Sequence, residues 1–513
     1  MSDLTSHGLR PRFRMAESSS SSRWILFIVI LGTLMASVDT TIVLLAFPTI
    51  TSDLHADLTT VLWTILIYLL LVSILTTQAG RISDLYGHGR LYTLGFVVFT
   101  VGSALCGFAQ TAESLVAFRA VQAIGGAFMV ATGTAILADT FPAAVRGRAF
   151  GYTTMGWNVG ATLGIVLGGV LTTFVGWRYI FFINVPIGIV AVVLAYRFIG
   201  VGNRTKARLD LVGMVLLAAV LSLIVYGAVD FASYGASAWN LSLMAVGAVM
   251  VAPFIWWERR APSPTINLAL FHSRLLSRSM AAAFLQSTGY LATVFLLIMY
   301  LQGIRGLSPL DASLLLVPGY VLSSGLAPTA GHWADRFGAA RLATIGIGFM
   351  LIGVLLYAQI GLSTPLVEVA LISLVTGIGG ALFWPSNNKA VMHDAPPAYY
   401  GSVSGLLRTL GNSGTIASYT LVITVASLAV SRTTAFEVFV GRGSGIGAVS
   451  SEFLTAIHAS FYVMAGVLVA AAILSASRLA RDGSAPQEPS RSLASAPPTA
   501  AAGDPPGVSR EGT

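Results

Sequence analysis

GRISDLYGHGR (80–90) and GHWADRFGAAR (331–341) share one pattern, Gly-x3-Asp-x2-Gly-x2-Arg. The first copy places it at Gly80, Asp84, Gly87 and Arg90, the second at Gly331, Asp335, Gly338 and Arg341. Each copy is a short polar break between long apolar runs, so the recurrence points to internal duplication. A duplicated charged hairpin in an apolar chain predicts a membrane protein of two related halves, the plan by which many transporters alternate access.

Composition supports the same reading. The chain is 55% hydrophobic and 10% charged, against about 25% charged in a soluble globular protein. No soluble core buries that much apolar surface, so lipid is the expected solvent. The net charge of +8 does not indicate nucleic acid, because the basic residues are scattered between apolar runs, as membrane orientation requires. The single cysteine, Cys106, excludes a disulfide framework and a cysteine metal site. No cofactor and no metal are expected.

At about 20 apolar residues per span, fourteen spans fit. They lie near 24–46, 60–79, 91–110, 115–138, 150–174, 179–199, 211–232, 239–257, 279–302, 312–331, 341–361, 364–386, 403–430 and 455–476. The first run is too long for a signal-peptide core and reads as an uncleaved span. An even count puts both termini on one side. Most of the 29 Lys and Arg, including Arg10, Arg12, Arg14, Arg146, Arg148, Arg204, Lys206, Arg208, Arg259 and Arg260, then share that side with the termini. The other side holds Arg178, Arg305, Arg432 and Arg442. The asymmetry predicts cytoplasmic termini and places both copies of the opening pattern in cytoplasmic loops.

The two copies lie eight spans apart, whereas duplication of a six-span unit would separate them by six. Two added spans are therefore expected between the halves. The predicted organisation is a cytoplasmic tail (1–23), a six-helix bundle (24–199) and a central linker with two additional helices (200–278). A second six-helix bundle (279–476) and a Pro/Ser/Ala/Gly-rich, disordered cytoplasmic tail (477–513) follow.

Further motifs stand in order along the chain: SVDTTIVLLAFP (37–48), RAVQAIGGA (119–127), WRYIFFINVPIG (177–188) and YLQGIRGLSP (300–309). With the two loop copies, they resemble the major facilitator superfamily, specifically its fourteen-span drug:proton antiporter branch, over roughly residues 24–476. The resemblance implies an all-α integral membrane fold, two pseudo-symmetric six-helix bundles plus two extra central helices. It implies a secondary transporter in the cell membrane, not an enzyme, working as a monomer on protons and a small-molecule substrate. Export of lipophilic or cationic drugs is the activity implied first; carriage of a lipid, siderophore or metabolite, or uptake by symport, stays open. The chain departs from the branch at three points. Ile165 stands where the span 5 signature has proline, Ala123 replaces a glycine in span 4, and His88 and Gly89 replace a basic pair.

Asp39 is the sharpest single residue. It lies about seven residues, or ~10 Å, from the outer end of the first expected span. A carboxylate at that depth is costly, and desolvation favours its protonated form, so it suits taking up and releasing a proton. Arg119 enters span 4 about one turn from the outer face, and either Asp39 or the amide of Gln122 can serve as its partner, unless it reaches outward to the headgroups. By resemblance, Asp39 and Arg119 take part in proton coupling. By resemblance also, Gly80, Asp84, Gly87, Arg90, Asp335 and Arg341 form conformational latches, with Asp84 meeting a helix N-terminus or an arginine of the opposite half. Gly160, Gly164 and Gly168, with Gly169, line a stripe that permits close helix packing and suits two halves rocking against each other. Gln122, Trp157, Tyr290, Glu368 and Arg408 are candidates to line the substrate cavity, although aromatic belts explain aromatics near span ends equally well.

Other mechanisms are poorly supported. A phosphate-binding loop needs Gly-Lys-Ser/Thr, and both lysines, Lys206 and Lys389, precede alanine. No serine-nucleophile elbow or histidine cluster suggests an enzyme.

Overall fold

A computed structural model describes residues 19–202, 209–266, 268–395, 400–429 and 447–479. Most of both predicted tails, and the basic residues 204, 206 and 208, lie outside the described residues. The described chain is helical, and its first helix already departs from the expected span. α1 runs Ser19–Asp53, so Asp39 sits about 20 Å from its far end rather than ~10 Å.

α2 (Leu58–Tyr86) starts where the Asp57 side chain accepts from the Thr60 N–H, satisfying an orphan donor of the first turn. It ends at Gly87, whose backbone (φ 101°, ψ 131°) lies in territory that favours glycine. α3 (His88–Gly107) begins at once. α4 (Ala112–Thr140) opens with a capping box between Thr111 and Ser114. α5 (Ala143–Phe174), the short α6 (Tyr179–Phe182) and α7 (Asn184–Phe198) complete the first bundle. α8 (Leu211–Tyr234) and α9 (Ala238–Glu258) pack against each other.

The second bundle repeats the first. α10 (Arg274–Tyr290), α11 (Thr293–Ile298), α12 (Pro309–Phe337), α13 (Ala339–Tyr357), α14 (Leu366–Asp394), α15 (Tyr400–Ala429) and α16 (Gly447–Ala476) follow in order. α2 and α12 each have 29 residues, and each ends on a pattern glycine; Gly338 (φ 92°, ψ 131°) copies Gly87. The packing partners repeat too. α1 packs on α5 as α10 does on α15, and α2 and α3 pack on α4 as α12 and α13 do on α14. The halves meet where α5 lies on α12 and α2 lies on α15. Among the described residues, thirteen helical runs, counting Arg274–Ile304 as one, are long and apolar enough to cross a membrane; the remaining expected span, near 403–430, coincides with α15.

Two details correct the simple span picture. The expected ninth span is not one helix: it breaks after Tyr290, resumes as α11 and finishes in a π-helical turn, Met299–Ile304. The Ser418 hydroxyl accepts from the Ala292 N–H at 3.0 Å, supplying a partner at the break. Ile165, which stands in the place of the signature proline, is fully buried in an uninterrupted α5.

The two extra helices are tied to the first bundle by a polar joint. Gln78 Nε2 donates to Thr265 Oγ1 at 2.7 Å, and the Arg81 guanidinium donates to the carbonyls of Ser263 and Pro264. Thr265 in turn donates, from N–H and hydroxyl, to Asp210 Oδ2 at the head of α8. Burial alone would raise Asp210, but donors from the Gly213 N–H, Trp257 and Thr265 hold its carboxyl below the ordinary range.

Candidate functional site

Four helices of the first bundle converge on one buried ion pair. Asp39 of α1 is 0% exposed and Arg119 of α4 is 1% exposed. Arg119 Nη1 donates to Asp39 Oδ2 at 2.6 Å. The same nitrogen reaches Gln122 Oε1 at 2.6 Å, and Gln122 Nε2 donates to Asp39 Oδ1 at 2.8 Å. Arg119 and Gln122 lie three residues apart, so one face of α4 presents both. The ring closes outward through Gln122 Nε2 to Ser103 Oγ of α3 (2.7 Å) and Arg119 Nε to the Thr64 carbonyl of α2 (2.9 Å). The aromatic rings of Tyr68 and Phe181 face the guanidinium, with centroids at 4.5 and 5.7 Å.

Local sequence explains why the cluster can form. A Cβ added at Gly102 would lie 2.6 Å from the Gln122 Cα, so α3 and α4 touch backbone to backbone there. Arg119 enters the membrane interior because its partners are already assembled there; a lone guanidinium at that depth would be costly. Arg119 therefore uses both partners considered from sequence and does not reach outward. Gln122 belongs to this network rather than to an open substrate cavity.

The other sequence candidates separate. Gly160, Gly164 and Gly168 press on α1, each with an added Cβ 2.8 Å from a carbonyl, those of Leu34, Val38 and Ile42. That stripe packs helices within one half and does not face the other. Gly169 does face it: its Cβ would lie 2.9 Å from the Pro309 carbonyl of α12. Nearby, Thr162 Oγ1 and Ser324 Oγ are 3.0 Å apart, and the Leu310 N–H donates to Thr173 Oγ1 at 3.1 Å. These bonds join the halves at mid-depth and at the face opposite the repeat loops.

In the first repeat loop, His88 bridges two carboxylates, with Nε2 2.9 Å from Asp84 and Nδ1 2.8 Å from Asp139. Of the two partners considered from sequence, Asp84 thus meets the start of a helix, His88 of α3, and not an arginine of the opposite half. In the second loop, Asp335 pairs with Lys389 of α14. Arg90 is exposed, as is Arg341.

Arg408 of α15 reaches across to the first half, its guanidinium 4.7 Å from the centroid of Trp157 on α5. The Trp157 carbonyl accepts from Ser37 Oγ of α1 at 2.6 Å. Tyr290 and Trp384 are part-buried on α10 and α14. Glu368 is exposed in the first turn of α14, so it leaves the cavity set; a carboxylate there favours the helix N-terminus. Thr64 and Ser103 are the site residues that the sequence candidates lacked.

A family model described as Major Facilitator Superfamily matches residues 29–419. The chain is 30% identical over 393 residues to the riboflavin transporter RibZ of Clostridioides difficile (strain 630), covering 76% of this chain and 85% of RibZ. It is 30% identical over 394 residues to the tetracenomycin C resistance and export protein of Streptomyces glaucescens, covering 74% and 71%. A solved bacterial homolog of the human lysosomal transporter Spinster superposes with a TM-score of 0.63 at 16% identity, over 92% of this chain and 100% of that one, a likeness of fold. The helical order, the repeated packing and these matches agree: the chain is a multi-pass membrane transporter of the Major Facilitator Superfamily, in its fourteen-span exporter branch.

Proposed function

We propose that this transporter exports flat, lipophilic compounds in exchange for protons, by alternating access between its two bundles. The observation that carries the proposal is the buried Asp39–Arg119–Gln122 cluster. A carboxylate held by a guanidinium in the membrane interior can exist in two arrangements: ionised and paired, or protonated with the arginine released to another acceptor. Proton binding at Asp39 would therefore change what Arg119 holds, and Arg119 binds α2 through the Thr64 carbonyl as well as α1. The proton and the packing of α1, α2 and α4 are linked through one side chain.

The names of the relatives support an exporter of polycyclic compounds: one is a tetracenomycin C export protein. The riboflavin transporter supports the second reading, a flat metabolite moved on the same scaffold. On either reading both termini and both repeat loops face the cytoplasm, and the loops latch the bundles. In this proposal the close packing of Gly169 on α12 and the hydrogen bond of Leu310 to Thr173 close the outer side.

The test is Asp39→Asn, which keeps the size of the side chain and one of its two acceptor oxygens but cannot ionise. In everted vesicles the variant should fold and still bind a fluorescent substrate, while acid-driven transport falls at least about 100-fold, in line with loss of a proton-transfer group. Transport at the wild-type rate would refute the coupling role.

A further inference from the structure

The Asp39–Arg119 pair is neutral as a unit. Away from the helix ends, Arg408 is the other Lys, Arg, Asp or Glu side chain in a membrane span among the described residues. It has no carboxylate or hydrogen-bond partner among the described residues; the face of Trp157 is its neighbour. The residues flanking it on α15, Leu406, Leu407 and Thr409, are 3%, 5% and 5% exposed, whereas Arg408 is part-exposed. Its side chain therefore faces an internal space between the halves, not lipid or packed core.

The walls of that space suit a ring. One turn along α15, an added Cβ at Gly411 would lie 3.5 Å from the Trp384 ring of α14 and 4.0 Å from Ser287 Oγ of α10. Ser287 Oγ is itself buried without a hydrogen-bond partner among the described residues. Arg408 on Trp157, with Trp384 and an unused hydroxyl one turn away, combines one positive charge, two indole faces and one polar contact.

An uncompensated guanidinium at this depth is costly and marks a binding path. A bound anion lowers that cost, whereas a cation would meet a like charge with no carboxylate to balance it. We propose that the transported compound is a flat aromatic anion, a ring system bearing a carboxylate, sulfonate or phenolate, with its charge on Arg408 and its ring against Trp157 and Trp384. The inference rests on the reading of this chain as an exporter of flat compounds, and it replaces cationic drugs with anionic ones as the preferred class.

The test uses the full chain in lipid nanodiscs and two dyes with the same xanthene ring, the fluorescein anion and the rhodamine cation. Fluorescence anisotropy should show fluorescein bound at least about tenfold more tightly. Arg408→Gln should erase that preference, Arg408→Lys should keep it, and Trp157→Leu should weaken both dyes. Equal or tighter binding of rhodamine, no binding of either dye, or unchanged fluorescein affinity in Arg408→Gln would overturn the proposal. If Arg408→Gln does not fold, the wild-type preference with Arg408→Lys and Trp157→Leu decides the matter. Asp39→Asn leaves Arg119 uncompensated and should therefore keep fluorescein ahead of rhodamine, so failure of proton coupling and failure of anion selection are separate results.

Discussion

The two copies of the Gly-x3-Asp-x2-Gly-x2-Arg loop share a backbone and differ in their surroundings. Gly87 and Gly338 adopt nearly the same left-handed turn, and each divides a 29-residue helix from the next. Around the first copy the chain is closed in. The segment leaving α7 returns over it, the Gly89 N–H donates to the Val201 carbonyl at 3.3 Å, and an added Cβ at Gly89 would strike the Gly200 carbonyl. At the matching positions of the second copy stand Ala339 and Ala340. Its aspartate, Asp335, pairs with Lys389 across partly exposed side chains, 69% and 37% accessible. The first aspartate is bridged through His88, whose side chain is 11% accessible. Duplication kept the turn, which only glycine dictates, while the charges diverged with their neighbours.

The comparison can be broken at three points. The largest effect is expected at Gly89. Gly89→Ala drives a methyl into backbone that cannot move aside and should cost about 1–3 kcal/mol, seen as a lower unfolding midpoint in detergent. The reciprocal Ala340→Gly should cost no more than about 0.5–1 kcal/mol, the helix penalty of glycine. Equal shifts would mean that the two loops are packed alike. His88→Ala comes next. It leaves Asp84 and Asp139 facing each other without the bridging ring, and a loss of about 1 kcal/mol is expected. A double-mutant cycle with Asp139→Asn measures it, and additivity would deny the bridge. Lys389→Ala should be the mildest, within about 0.5 kcal/mol, because its pair with Asp335 is exposed and screened. A loss larger than that of His88→Ala would invert the ranking of the loops.

The fold was legible because lipid imposes few choices. Long apolar runs, a duplicated break and scattered basic residues lead to helices, halves and two added spans with little help from packing detail. The centre of the site was legible for the same reason: Asp39 and Arg119 lie in apolar runs, where charges must find each other. Ser103 and the Thr64 carbonyl were not, because uncharged polar groups in a helix are ordinarily satisfied by the preceding turn and give no sign of a distant partner. Glu368 misled because a carboxylate early in a span reads alike whether it favours a helix N-terminus or faces a cavity. The break after Tyr290 carries no proline to announce it, and its repair by Ser418 comes from a helix more than a hundred residues away. The pairing of Arg408 with Trp157 joins spans of opposite halves, so no local periodicity predicts it.

The joint between Gln78, Arg81 and residues 263–265 has a mechanical consequence. Gln78 and Arg81 flank Gly80 at the loop end of α2, and they hold the strap that returns from α9. α8 meanwhile lies against both α2 and α15, covering the seam between the bundles. If the bundles rock as proposed, the polar joint keeps α8 and α9 with the first bundle, and the face of α8 on α15 is the surface that has to slide. The outline presented to the bilayer would then change on one flank only, as eight helices turn against six.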